Sequence, residues 1–362
     1  MLTAVVFLAI LMSAVLVHEL AHFLAARSVG VPVRAFSVGI GPTLLKRRWR
    51  GTEWRLSLLP LGGYVDLPGM SADVGEDGSL RAATEGMARL SFAPKAWILS
   101  AGVIANYLLA TLLLASAVVL APGFREVVSG TPVEVEGAEV VAVVEGSRAE
   151  ALGLRPGDRV LRVNELQDPN PAQMVEELAS AQGLALEVIG EEGELRSVST
   201  AWPPADLADG ERPLLGVQLS PINVPSVGFG TAFGESVAFG VRMFPEMVVA
   251  FVRGFGAAVS GRENADVAGP VGIVSMVGQA AQVGFAPVLL LAALINFSLA
   301  VFNLLPIPGL DGGRLLLASV VALRGRPFRP GQEEAIHFAG IVAVLALIVL
   351  ITVQELGGIL GG

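Results

Sequence analysis

Histidines at positions 18 and 22 flank a glutamate at 19, inside a run from Met1 to Ala26 that is otherwise uncharged and apolar. Helical residues four apart share a face, so the two imidazoles can hold one zinc ion, with Glu19 beside the metal-bound water as general base. The chain has only three histidines. A polar patch packed between helices is the competing reading, and it is the weaker one because ionisable groups inside a span are costly and default to function. Catalytic zinc takes three protein ligands and leaves a position for water. With no cysteine in the chain, disulfides, thiol nucleophiles and thiolate ligands are excluded, and the third ligand is expected to be a carboxylate. Asp311 stands out in Asn303-Leu304-Leu305-Pro306-Ile307-Pro308-Gly309-Leu310-Asp311-Gly312-Gly313, where prolines and glycines end a helix and free the backbone to turn a carboxylate inward. Asn303, about two turns earlier, is placed to hydrogen-bond a substrate backbone. Asn106 is a weaker candidate for such contact, since it could simply tie two helices together. His337 reads as an interfacial histidine.

These residues sit in a membrane protein. Hydrophobic residues make up 53% of the 362 and charged residues only 16%, well short of the quarter or so typical of soluble domains. Spans are expected at Met1–Ala26, Trp97–Leu120, Phe285–Leu305 and Ile336–Val353. The first is read as a span and not a cleaved leader, because no basic residue precedes it and no small-residue cleavage pattern closes it. Seven basic residues between Arg27 and Arg55 face one acid, Glu53, and Arg314, Arg324, Arg326 and Arg329 cluster again after the third span. The positive-inside rule makes both loops cytoplasmic and puts both termini outside. His18 and Asp311 then meet at one depth, toward the cytoplasm. A fifth crossing at Val237–Val259 would separate them. That segment carries Arg242, Glu246 and Arg253 and reads as an amphipathic helix on the outer surface.

Alternation in Arg34–Val38 and Glu53–Leu58 predicts a hairpin sheet against the membrane between Val33 and Leu67, whose edge at Ser57 and Leu58 could pair with an unwound substrate. Asp73–Gly86 is polar and Gly-rich, a flexible loop by composition. Residues 122–222 hold 18 acidic against 7 basic side chains, a block of net charge −11 that makes a nucleic-acid partner improbable. Within it, the run Gly146-Ser147-Arg148-Ala149-Glu150-Ala151-Leu152-Gly153-Leu154-Arg155-Pro156-Gly157-Asp158 and the strand after it resemble the signature of bacterial PDZ domains. That resemblance implies a module that takes an extended peptide or C-terminus, with a mere spacer as the alternative. Four segments result: a membrane core at 1–121, an outer PDZ-like domain at 122–222, an amphipathic linker at 223–283 and a second membrane core at 284–362.

Together the motifs resemble the site-2 protease family of intramembrane zinc metalloproteases, in its bacterial form with a single PDZ domain. His18-Glu19-Leu20-Ala21-His22 and Asn303–Gly313 match the family's two metal motifs. Gly62-Gly63-Tyr64-Val65 resembles the end of its membrane-associated β-loop, which adds Gly63 and Tyr64 to the substrate-binding candidates. Gly269-Pro270-Val271-Gly272-Ile273 matches the stretch before the third span, and Val103 stands where the family usually has proline. The resemblance implies a polytopic α-helical protein of the bacterial inner membrane, one Zn2+ per chain, and single-span substrates such as anti-sigma-factor-like regulators or remnant signal peptides. The competing class is a non-enzymatic scaffold with a structural metal. A metal transporter is disfavoured, because no chain of further intramembrane ligands leads across.

Overall fold

The computed structural model describes residues 2–70, 73–74, 80–81, 83–131, 136–203, 214–223, 225–260 and 269–361, so residues 75–79 and 82 of the polar Asp73–Gly86 loop lie outside the described residues. In chain order the elements are α1 (Leu2–Ser28), β1 (Ala35–Trp49), β2 (Thr52–Asp66), β3 (Asp73–Val74), β4 (Leu80–Arg81), α2 (Phe92–Leu120), α3 (Arg125–Ser129), β5 (Glu136–Val143), α4 (Arg148–Ala151), β6 (Arg159–Val163), β7 (Leu166–Gln167), α5 (Pro171–Ser180), β8 (Gly183–Ile189), β9 (Leu195–Ala201), β10 (Val217–Asn223), α6 (Phe229–Ser260), α7 (Pro270–Val283), α8 (Phe285–Leu304), α9 (Asp311–Arg324) and α10 (Gln332–Gly361). They form two compact units, one of residues 1–117 and 233–362, the other of residues 118–232.

Four helices of the first unit, α1, α2, α8 and α10, are long and apolar enough to cross a membrane. Helices α1, α2 and α8 start and stop within five residues of the expected spans, whereas α10 starts four residues before the expected Ile336–Val353 and ends eight beyond it. Their length follows from uninterrupted apolar sequence: α1 contains neither glycine nor proline and stops only where Gly30 takes φ +78° ahead of Pro32. Helix α6, which carries Arg242, Glu246 and Arg253, is not among the four. It packs instead on α2 and α8, where the Tyr107 hydroxyl donates to the Val237 carbonyl at 2.7 Å and Phe251 stacks on Phe302 with ring centroids 5.1 Å apart. Glu355 of α10 accepts from the backbone N–H groups of Gly269, Val271 and Gly272 at 2.7, 3.1 and 3.1 Å. These are donors that the start of α7 cannot satisfy within its own helix.

The expected hairpin is present but doubled back on itself. Residues 35–40 lie between two stretches of β2. On one side Ala35, Phe36, Ser37 and Val38 oppose Glu53, Trp54, Arg55 and Leu56, and on the other they oppose Asp66, Val65, Tyr64 and Gly63. Residues 43–49 cover the far side of 52–57. The order across the sheet is therefore 43–49, 52–59, 35–40, 63–66. Ser57, expected at an edge, is interior: it is paired with Thr43, is 5% exposed, and shares a 3.0 Å hydroxyl contact with Ser37. Leu58 is exposed on the adjoining face. The free margin is Gly63–Asp66, which among the described residues pairs only with 35–38.

The second unit has a six-stranded sheet ordered β10-β5-β6-β8-β9, with β7 paired to β6. Val140, Val160, Val163, Met174, Leu186 and Trp202 fill its core. Helix α5 begins with a capping box formed by Asn170 and Gln173, and it packs beside β10. Asp158 of the Pro-Gly-Asp run is buried, accepts from the Arg155 amide at 2.7 Å and pairs with Arg196.

Candidate active site

The sheet is fastened to α1 by aromatic packing one residue past His22. The Phe23 ring lies 5.8 Å from that of Phe36 and 5.3 Å from that of Trp54, which are themselves 4.9 Å apart. This fixes the Gly63–Asp66 margin along α1. A Cβ on Gly63 would come within 3.1 Å of Glu19 Cγ and 3.3 Å of Val15 Cγ1. Glycine is required here because the strand and the helix leave no room for a side chain.

On the other side α2 approaches the same turn of α1. A Cβ on Gly102 would lie 2.5 Å from both His18 Cε1 and His22 Nε2. One turn earlier the Ile98 carbonyl accepts from His22 Nδ1 at 2.7 Å. That bond places the His22 proton on Nδ1 and turns the Nε2 lone pair toward His18.

Asp311 closes the group from 289 residues away. The chain leaves α8 at Leu304, turns through the Leu305–Leu310 segment, and opens α9 with Asp311. Its Oδ2 lies 3.0 Å from His18 Nε2 and 3.1 Å from His22 Nε2, and the two nitrogens are 3.1 Å apart. Three electron-pair donors thus form a nearly equilateral triangle. Tetrahedral zinc with bonds of about 2.0–2.1 Å separates its ligands by roughly 3.3 Å, so the triangle matches a zinc ion almost without adjustment. Two neutral imidazoles and one carboxylate are also the donor chemistry that suits zinc. Among the described residues, no fourth His, Asp or Glu ligand atom joins the three.

The remaining expected residues are distributed differently. Asn303 turns its amide back to the Leu299 carbonyl of its own helix at 3.0 Å. Asn106, on the Gly102 face of α2, is 1% exposed, and its Oδ1 has no partner among the described residues. Tyr64 points its hydroxyl at Arg55, which donates to it at 2.6 Å. His337 is not interfacial as expected. It is buried, and its Nδ1 accepts from the Gly309 amide at 2.9 Å, so the turn before Asp311 has covered it. Motif reading singled out the three side chains that the fold brings together, but not the surroundings supplied by Gly102, the Ile98 carbonyl and His337, each of which depends on helices distant in sequence.

Comparison with known proteins finds relatives over nearly the whole chain. A protein of Agrobacterium fabrum is 32% identical over 379 aligned residues, covering 98% of this chain and 96% of the relative. One of Nostoc sp. is 33% identical, covering 98% and 95%, and one of Clostridium perfringens is 29% identical, covering 94% and 95%. All three bear the name "Putative zinc metalloprotease". The profile of peptidase family M50 matches residues 6–347, a stretch that contains both histidines, the glutamate between them and the distant aspartate, and the chain belongs to that family, the site-2 proteases.

Proposed function

We propose that this chain is a zinc-dependent intramembrane endopeptidase that cuts single-span substrates within or beside the bilayer, with Glu19 as its general base. The observation that carries the reading is the His18–His22–Asp311 triangle, built between apolar helices with Glu19 on the same turn. Zinc held there would acidify a water and polarise the scissile carbonyl. Glu19 takes the proton from the attacking water and returns it to the departing amine. His22 is kept in the right tautomer by the Ile98 carbonyl, and Gly102 lets α2 cover both imidazoles. A structural metal in a scaffold protein is the poorer fit, since structural zinc is normally closed by four protein ligands.

A helical substrate hides its peptide bonds in its own hydrogen bonds and must unwind to be cut. The Gly63–Asp66 margin can receive it. Gly63 lies against α1 at the base itself, its Cβ position 3.1 Å from Glu19 Cγ. A substrate strand added at Gly63 would therefore be led toward the base. This moves the docking edge from Ser57 and Leu58 to Gly63 and Tyr64. Exposed Leu44, Leu45 and Leu58 suit the same sheet to lipid contact.

The reading extends to membrane-anchored regulators or remnant signal peptides as substrates, to a bacterial inner-membrane location with the active site toward the cytoplasm, and to a PDZ-like recognition role for residues 122–222. In support of the last, β10 is an edge strand with α5 beside it, the pairing by which an extended peptide can be taken up.

The test is cleavage of a single-span substrate by detergent-purified protein, with the cut located by mass spectrometry. A cut inside the span, abolished by a zinc chelator and reduced at least about 100-fold in Glu19→Gln while zinc stays bound, is the expected result. An active Glu19→Gln protein would show that the base lies elsewhere. Because the chain has no cysteine, single cysteines at Arg48 and Glu150 report orientation cleanly. Labelling of both from the same side of the membrane would overturn the proposed topology.

A further inference from the structure

Resting on the reading of Asp311 as a zinc ligand, we infer that His337 is a positioning residue for the metal centre, holding through its Nδ1 atom the turn that delivers the aspartate. The ligand at 311 is carried by a short irregular segment and not by the interior of a helix. Between Leu305 and Leu310 the backbone makes only a few internal bonds, Ile307 N–H to Leu305 O at 2.7 Å and Leu310 N–H to Ile307 O at 3.1 Å. Gly309 stands at φ +98°, and its N–H donates outside the turn, to His337 Nδ1 at 2.9 Å.

Helix α10 is fitted closely around that donor. A Cβ on Gly309 would lie 2.7 Å from Ile341 Cγ1 and 3.3 Å from the His337 carbonyl oxygen. His337 itself is 6% exposed. A backbone amide can only donate, so Nδ1 must present a lone pair and the imidazole proton sits on Nε2. Nε2 is buried with no hydrogen-bond partner among the described residues, and Glu333 Oε1, one turn earlier on α10, is 3.8 Å away. A buried imidazole with one nitrogen unsatisfied is a poor choice for packing alone, where a leucine would serve without that cost. What the histidine supplies is an acceptor at the Nδ1 position, aimed at the amide two residues before the ligand. The reach is indirect: α10 fixes Gly309, Gly309 fixes the start of α9, and the start of α9 fixes Asp311 Oδ2 against the two histidines. Partners one step behind a metal ligand commonly change affinity 10- to 100-fold when removed.

The chemistry gives a discriminating pair of variants. Asparagine places its Oδ1 where Nδ1 was and can accept from Gly309, whereas glutamine places its acceptor at the Nε2 position and cannot. Zinc affinity is measured on the full-length detergent-purified protein by competition with a chromophoric chelator, beside Asp311→Ala and with thermal unfolding as a fold control. The expected result is affinity within about threefold of wild type for His337→Asn, and a loss of about 10- to 100-fold for His337→Gln and His337→Leu. Equal affinity in all three variants overturns the inference, as does an equal loss in all three. Failure of even His337→Asn to fold overturns it too, since the residue would then be a packing element. Asp311→Ala separates the two levels: unchanged zinc binding there refutes the ligand set itself, while a loss there with none in His337→Leu refutes only the role given to His337.

Discussion

Adding one methyl group at Gly102 is the sharpest test of how the metal centre is enclosed. A Cβ at that position would lie 2.5 Å from His18 Cε1 and His22 Nε2 and 2.6 Å from His18 Nε2. Ordinary carbon contacts begin near 3.5 Å, so α2 or both imidazoles must retreat by about 1 Å. The ligand triangle has sides of 3.0–3.1 Å, and zinc sites tolerate only about ±0.2 Å in their bonds, so the imidazoles cannot absorb the shift and still bind well. Movement of α2 instead carries the Ile98 carbonyl away from His22 Nδ1. Overpacking in a tight interior costs about 1–3 kcal/mol, which corresponds to roughly 5- to 150-fold in zinc affinity if the cost falls on the bound state. Gly102→Ala is therefore expected to bind zinc at least about fivefold more weakly in a chelator competition, with substrate cleavage falling in parallel at limiting zinc. Wild-type affinity and turnover in a folded Gly102→Ala protein would refute the claim that α2 sets the spacing of the centre.

Gly63→Ala pushes on Glu19 Cγ and on the Ser37 carbonyl but touches no ligand, so turnover should fall about tenfold or more while zinc affinity stays within about twofold; equal losses in both would place the effect on the ligands. Glu355→Gln replaces a charged acceptor shared by three amides at the start of α7, those of its N-cap Gly269 and of Val271 and Gly272, and each such bond is worth about 1.5–3 kcal/mol, so the thermal midpoint should drop by several degrees. An unchanged midpoint would show that α10 and α7 are held together by apolar contact alone.

The parts legible in the sequence were those with a local signature. Apolar runs marked four helices, the i, i+4 histidines marked a shared face, and Pro and Gly around Asp311 marked a helix end able to turn a carboxylate inward. Alternation from Val33 to Leu67 marked strands, but not their order. The sheet folds 35–40 between two stretches of β2, and this register, set by Phe36 and Trp54 packing on Phe23, moved Ser57 from an edge to the interior. His337 was misread for the same kind of reason. Its position at the head of an apolar helix resembles an interfacial residue, and only the meeting of α10 with a turn 28 residues earlier shows that it is covered. Contacts between elements distant in sequence leave no periodic trace along the chain.

The distribution of the three proposed ligands has a consequence for how the protein comes into being. His18 and His22 arrive with the first helix, whereas Asp311 follows 289 residues behind His22. At synthesis rates of about 5–20 residues per second, the growing chain carries an unfinished pair of imidazoles for roughly 15–60 s before the third ligand leaves the ribosome. Helices α2 and α8, made in that interval, insert beside a pair of imidazoles that lacks its carboxylate. On the proposed ligand set, hydrolytic competence is conferred only near the end of translation, after the helices that surround the centre have inserted.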